Sequence, residues 1–138
     1  FSEIFALTNN SKDIKELRML EHLPLSARKK ILKLSKSIMT KLTQDEVYAA
    51  KVALNAQMMF EKEDFDSAET TYQSELYQIT EKVIIQGQKE GSVVDGIPMK
   101  LVDYYWGVVY LYALKSLFTI KYELISEKDL ARILLKDE

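Results

Sequence analysis

Apolar positions recur at helical spacing along nearly the whole chain. Phe1, Ile4 and Phe5 predict a short helical piece over 1–8, and Ile14, Leu17 and Leu20 a second over 12–22, with Asn9, Asn10 and Ser11 between them. Leu23-Pro24 sets a boundary, because the residue before a proline is pushed out of the helical region. Over 25–42, Ile31, Leu34, Ile38 and Leu42 share one face with Leu32 and Met39 beside them, while Arg28, Lys29, Lys30, Lys33, Lys36 and Lys41 occupy the other. Thr43-Gln44-Asp45-Glu46 has the form of a capping box, with Thr43 as the cap of a helix reaching about Glu61. In that helix Val47, Ala50, Leu54 and Met58 take one face, and Tyr48, Lys51 and Asn55 leave a narrow polar strip that faces either water or an internal cavity, with water the preferred reading.

Two long helices follow, between Asp66 and Lys121. The first carries Tyr72, Leu76, Ile79 and Val83 in one stripe with Tyr77 and Ile84 beside it, and ends at Gly91, with Lys89 opposing the negative end of the helix dipole. Asp95-Gly96 turns the chain, and Pro98 suits the first turn of the next helix. So short a connection makes the two helices antiparallel neighbours. In the second helix only Asp103 and Lys115 are charged between Leu101 and Ile120. A helix apolar almost all round needs cover on two sides, here its own domain on one and another molecule on the other. Ser126 to Asp129 then caps a terminal helix that buries Leu130, Ile133 and Leu134. The pattern predicts a single all-α domain over 1–138, an antiparallel helical bundle of about five to seven helices.

Composition narrows the function. With no cysteine there is neither a disulfide nor a thiolate metal site, which fits a cytoplasmic protein. The longest uncharged apolar run, Tyr104 to Leu114, falls short of the roughly 20 residues that span a bilayer. His22 is the only histidine and reads as a helix-end surface residue; no Gly-rich phosphate loop, nucleophile elbow or His-Glu-x-x-His is present, so neither an enzyme nor a cofactor is expected. The acidic run Glu61, Glu63, Asp64, Asp66 and Glu69 lacks the turn glycine of a calcium loop and reads as a helix connection. The basic face from Arg28 to Lys41 has no interleaved aromatics and reads as solvated, with nucleic-acid binding as the weaker alternative. Gly87 and Gly107 each weaken a helix interior by about 1 kcal/mol relative to Ala. Close approach of a second helix would offset that, and approach by the same helices of a second copy would make a two-fold four-helix interface.

The run from Ile79 to Gly91, the turn Asp95-Gly96-Ile97-Pro98, then Leu101 and Tyr105-Trp106-Gly107-Val108-Val109-Tyr110, resembles the C-terminal portion of TetR-family transcriptional regulators. There a helix ends in a Gly-Gln-x-x-Gly-like segment and the following apolar helix opens with a Trp-Gly-like element. The resemblance covers about 40 residues clearly. It implies an effector-binding and dimerisation domain whose last two long helices form the dimer interface, in a repressor whose DNA-binding helix-turn-helix is expected to precede residue 1. DNA would be met only through that head, and the partners of this domain would be a second copy and a small apolar or amphipathic effector. The candidate pocket residues are Met39, Tyr48, Met58, Met59, Tyr72 and Tyr105, since Met adapts to irregular ligands and Tyr brings a polar tip to an apolar wall. The candidate interface residues are Ile84, Gly87, Trp106, Gly107, Tyr110, Leu114 and Leu117. A free-standing helical interaction module is the alternative, and it requires a filled core.

Overall fold

A computed structural model describes residues 12–60, 75–119, 121 and 123–137. Among these residues the chain is all-helical, with six helices: α1 (Lys12–His22), α2 (Ala27–Gln44), α3 (Glu46–Phe60), α4 (Glu75–Glu90), α5 (Pro98–Phe118) and α6 (Glu127–Arg132). The pieces expected over 1–8 and the acidic connection over 61–74 lie outside the described residues.

Local chemistry sets the boundaries. Ser26 caps α2 by accepting from the Lys29 N–H at 3.3 Å. The expected cap at Thr43 is corrected. Thr43 stays in α2, where its hydroxyl donates to the Met39 carbonyl four residues back at 2.7 Å, and Asp45 caps α3 instead, accepting from the N–H groups of Val47 and Tyr48. Gly91 ends α4 at φ +83°, a conformation that any Cβ would strain. Pro98 opens α5, and Ser126 caps α6 through the Asp129 N–H at 3.1 Å.

α5 is laid across α3, α4 and α2, and α2 packs in turn on α1, α3, α4 and α6. The contact face of α5 buries Leu101, Val102, Tyr105, Trp106, Val109, Tyr110 and Ala113. Each large apolar side chain fully buried there contributes about 1.5–3 kcal/mol before chain entropy is counted. α1 runs antiparallel to α2, because Lys41 meets Asp13 and Glu16 near one end while Lys30 Nζ donates to the Glu21 carbonyl near the other. Lys30 is itself buried, and its ammonium also donates to Gln86 Oε1 at 2.9 Å. Gln86 donates onward to the Leu25 carbonyl and to Glu90, whose other oxygen accepts the Ala27 N–H at the start of α2. One polar chain thus ties the α1–α2 turn to the end of α4.

The segment after α6 closes the molecule. Val93 and Leu135 form an isolated antiparallel bridge, with Val94 N–H on the Leu134 carbonyl and Lys136 N–H on the Ser92 carbonyl. Val93 is fully buried against Gly87.

Candidate functional site

α1 packs on α2 and α4, and α3 packs on α2 and α5. Where α1 and α3 do not close over α2, they leave a cavity of about 240 Å³. α1 contributes Leu17 and Leu20 to its wall, α2 contributes Leu34 and Ile38, and α4 contributes Leu76; Trp106 and Tyr110 of α5 form the floor. The indole is fixed in place. Its N–H donates to Thr80 Oγ1 at 3.0 Å, and that hydroxyl donates to the Leu76 carbonyl at 2.7 Å. Tyr105 stands edge-on to the indole, ring centroids 5.6 Å apart, and the Tyr110 ring centre lies 6.4 Å from it, tilted by 31°. Trp106 is the only tryptophan of the chain, so its emission reports on this cavity.

The polar groups of the cavity come from α1, α2 and α3. Asp13 and Glu16 both accept from Lys41 Nζ, at 2.7 and 2.8 Å. Burial alone would lower the Lys41 ammonium, but these two bonds outweigh it and hold the group above its ordinary value. Tyr48, only 8 % exposed, lies beneath Lys41, whose ammonium is 5.4 Å from its ring centre. Burial, with the nearby Asp13 charge adding to it, pushes the Tyr48 hydroxyl well above its ordinary range, so it remains a donor at any physiological pH. Lys33, Ser37, Lys51 and Asn55 also line it. Asn55 Oδ1 is buried without a hydrogen-bond partner among the described residues.

The strip Tyr48, Lys51 and Asn55, expected to face water, therefore faces this cavity. A partly polar strip suits either setting, and only the position of α1 decides between them. Of the expected pocket residues whose side chains the structure describes, Tyr48 lines the cavity and Met39 and Tyr105 do not. Met39 is buried in α2 away from it, and Tyr105 is fully buried with its hydroxyl 2.8 Å from Ser35 Oγ. Met58 and Met59 end α3 without a described side chain, and Tyr72 lies outside the described residues. Leu17, Leu20, Leu34, Ile38, Leu76, Lys51 and Asn55 lie outside the expected pocket set, and α1, which closes one side, carries no pattern that distinguishes it from an ordinary packed helix.

The expected interface residues divide into two groups. Ile84, Trp106 and Tyr110 are buried within the chain's own core, the last two as the cavity floor, so they are not on an outer surface. Gly87 is buried too. A Cβ there would stand 2.1 Å from Val93 Cγ2 and 3.1 Å from Ala27 Cβ, so its missing side chain admits the chain's own turn. Gly107, Leu114 and Leu117 lie exposed on α5. With Tyr104, Leu111 and Phe118 they make an uncovered apolar stripe, Phe118 being 80 % exposed. At about 100° per residue, Tyr104, Gly107, Leu111, Leu114 and Phe118 fall within roughly 80° of one another, on a line about 21 Å long. The outward residues of α4 are Glu75, Gln78, Lys82, Lys89 and Glu90, all polar, so the apolar surface belongs to α5.

The basic face of α2 is reduced by its own contacts. Lys30 is buried, Lys41 is paired, and Arg28 donates to the Lys136 carbonyl at 2.8 Å, which leaves Lys29, Lys33 and Lys36 exposed. His22 is exposed at the end of α1. Among the described residues no group of three or more His, Cys, Asp or Glu side chains is placed to hold a metal ion, and no helix is long and apolar enough to cross a membrane. No family model, no curated protein and no solved structure matches this chain.

Proposed function

We propose that this chain is the ligand-sensing and dimerising domain of a TetR-like transcriptional regulator, in which a small amphipathic effector bound among the helices controls DNA binding by a helix-turn-helix outside these residues. The observation that carries the proposal is the double use of α5. Its inner face supplies Trp106 and Tyr110 to the cavity floor, and its outer face presents Tyr104, Leu111, Leu114 and Phe118 uncovered. A ligand on the floor and a second copy on the stripe would then press on one helix from opposite sides. Coupling of this kind needs no more than a difference in effector affinity between two arrangements of the pair. The 240 Å³ cavity is what a free-standing interaction module has no need of. The resemblance over the Trp106-Gly107 region supplies the family, and on this proposal the protein works in the cytoplasm as a homodimer without catalytic chemistry.

Sedimentation equilibrium tests the association. The chain should be dimeric at tens of micromolar, and Leu111→Glu, which places a charge in the middle of the stripe, should make it monomeric with its far-UV circular dichroism unchanged. A wild-type monomer at that concentration overturns the proposal.

A further inference from the structure

We infer that the effector is a small anionic amphiphile, a carboxylate on an apolar body of roughly eight to ten non-hydrogen atoms, with its head group held along α3 by Lys51, Tyr48 and Asn55. This rests on the sensing function proposed above and names the ligand class of the same cavity. Size comes first. At about 30 Å³ for each water-sized group, 240 Å³ admits about eight of them. That is below the usual range of drug-sized pockets, roughly 300–1,000 Å³.

Charge comes second. The lining includes three lysines, Lys33, Lys41 and Lys51, of which Lys33 is exposed, against the two acidic residues Asp13 and Glu16. Both carboxylates are already bound to Lys41. Each binds it through one oxygen, so a cationic ligand would share its carboxylates with a resident ammonium. Lys51 is half-buried and has no carboxylate within ion-pair distance among the described residues. An ammonium held against an apolar wall without a counter-ion is costly, and an incoming anion supplies what it lacks.

Hydrogen bonding comes third. Tyr48, Lys51 and Asn55 stand at positions i, i+3 and i+7 of α3 and so share one helix face. Tyr48 has no hydrogen-bond partner for its hydroxyl among the described residues, and its O–H is a donor. A half-turn of the Asn55 amide exchanges the unpartnered, buried Oδ1 for an N–H donor. With the amide turned, three donors on one helix face fit a carboxylate, which only accepts. The apolar body then lies over Leu76 and the Trp106 indole.

Three probes with one alkyl chain and different heads separate the possibilities: octanoate, octanamide and octylamine, each titrated at pH 7 while Trp106 emission is followed. Octanoate should give a saturable change with a Kd at least tenfold below those of the other two. Lys51→Met should raise the octanoate Kd to about that of octanamide and leave octanamide unaffected. Equal or tighter binding of the amide or the amine, in the wild-type chain alone, overturns the anion inference while leaving a sensing cavity in place. An octanoate preference undiminished in Lys51→Met overturns the assignment of the head-group site. No saturable change with any of the three overturns the sensing function itself.

Discussion

Replacing either helical glycine by alanine is one chemical change with two opposite expected outcomes. In a helix interior alanine is favoured over glycine by about 0.8–1 kcal/mol. At Gly107 a new Cβ meets nothing within 4 Å, so Gly107→Ala should stabilise the chain by about that amount. At Gly87 the new Cβ would stand 2.1 Å from Val93 Cγ2, where carbon atoms settle at about 3.5–4.0 Å. Val93 has little room to withdraw. Its N–H is bonded to the Gly87 carbonyl at 3.2 Å and the next residue is bonded to Leu134. Overpacking of a well-filled site costs up to about 3 kcal/mol; an overlap to 2.1 Å stands in the upper half of that range, about 2–3 kcal/mol, and with the propensity gain set against it Gly87→Ala should destabilise by roughly 1–2 kcal/mol. The two variants should then differ by about 2–3 kcal/mol. Urea unfolding followed by circular dichroism reads this as midpoints displaced in opposite directions, on the order of half to one molar with m near 1–3 kcal/mol/M. Repeating it at two protein concentrations a hundredfold apart separates any effect of association at Gly107. Val93→Ala in the Gly87→Ala background should recover part of the loss, since coupled neighbours show about 0.5–3 kcal/mol of interaction. If both alanine variants stabilise equally, the close approach at Gly87 is wrong.

Two further predictions concern the polar chain between α2 and α4. Lys30→Met leaves the Glu21 carbonyl and Gln86 Oε1 without their buried donor and should destabilise by about 1–3 kcal/mol in the same urea assay; an unchanged midpoint would show that the ammonium is not needed there. The Glu90 carboxyl is held below its ordinary value of 4.5 by the Gln86 amide first and then by the Ala27 N–H. A carboxylate with a depressed pKa contributes stability that is fully present above the ordinary value and is lost as pH falls through the lowered one. The drop in thermal midpoint below pH 4.5 should therefore be shallower in Glu90→Gln than in the wild type, and parallel curves would remove Glu90 from the acid response.

How much of this was legible in the sequence follows from the kind of interaction involved. Helix ends set by short-range chemistry were legible: Gly91, Pro98 and Ser126 act where their spacing places them. Thr43 and Asp45 competed for one cap, and the choice turned on whether the Thr43 hydroxyl bonded backward within α2. That α5 is apolar on more than one face was legible, but its orientation was not. A helix apolar all round gives periodicity no phase, so nothing in the sequence separated Trp106 and Tyr110, which turn inward, from Leu114 and Leu117, which turn out. Gly87 announced a close approach without naming its partner, since Val93 reaches it through a turn whose geometry is set by Gly91 and the bridge to Leu135. The cavity depends on where α1 stops short of α3, a tertiary outcome that no local pattern encodes.

On the proposed function α5 joins the cavity to a surface of association, and the dimer dissociation constant measured with and without saturating octanoate reads that link. Two sites linked through one helix carry a coupling of about 1–3 kcal/mol, a shift of roughly 5- to 150-fold. Sedimentation equilibrium should show the constant moved by at least about fivefold, and by reciprocity the octanoate Kd should differ by the same factor between monomer and dimer. A dimer constant that stays the same while Trp106 reports full occupancy would contradict the account.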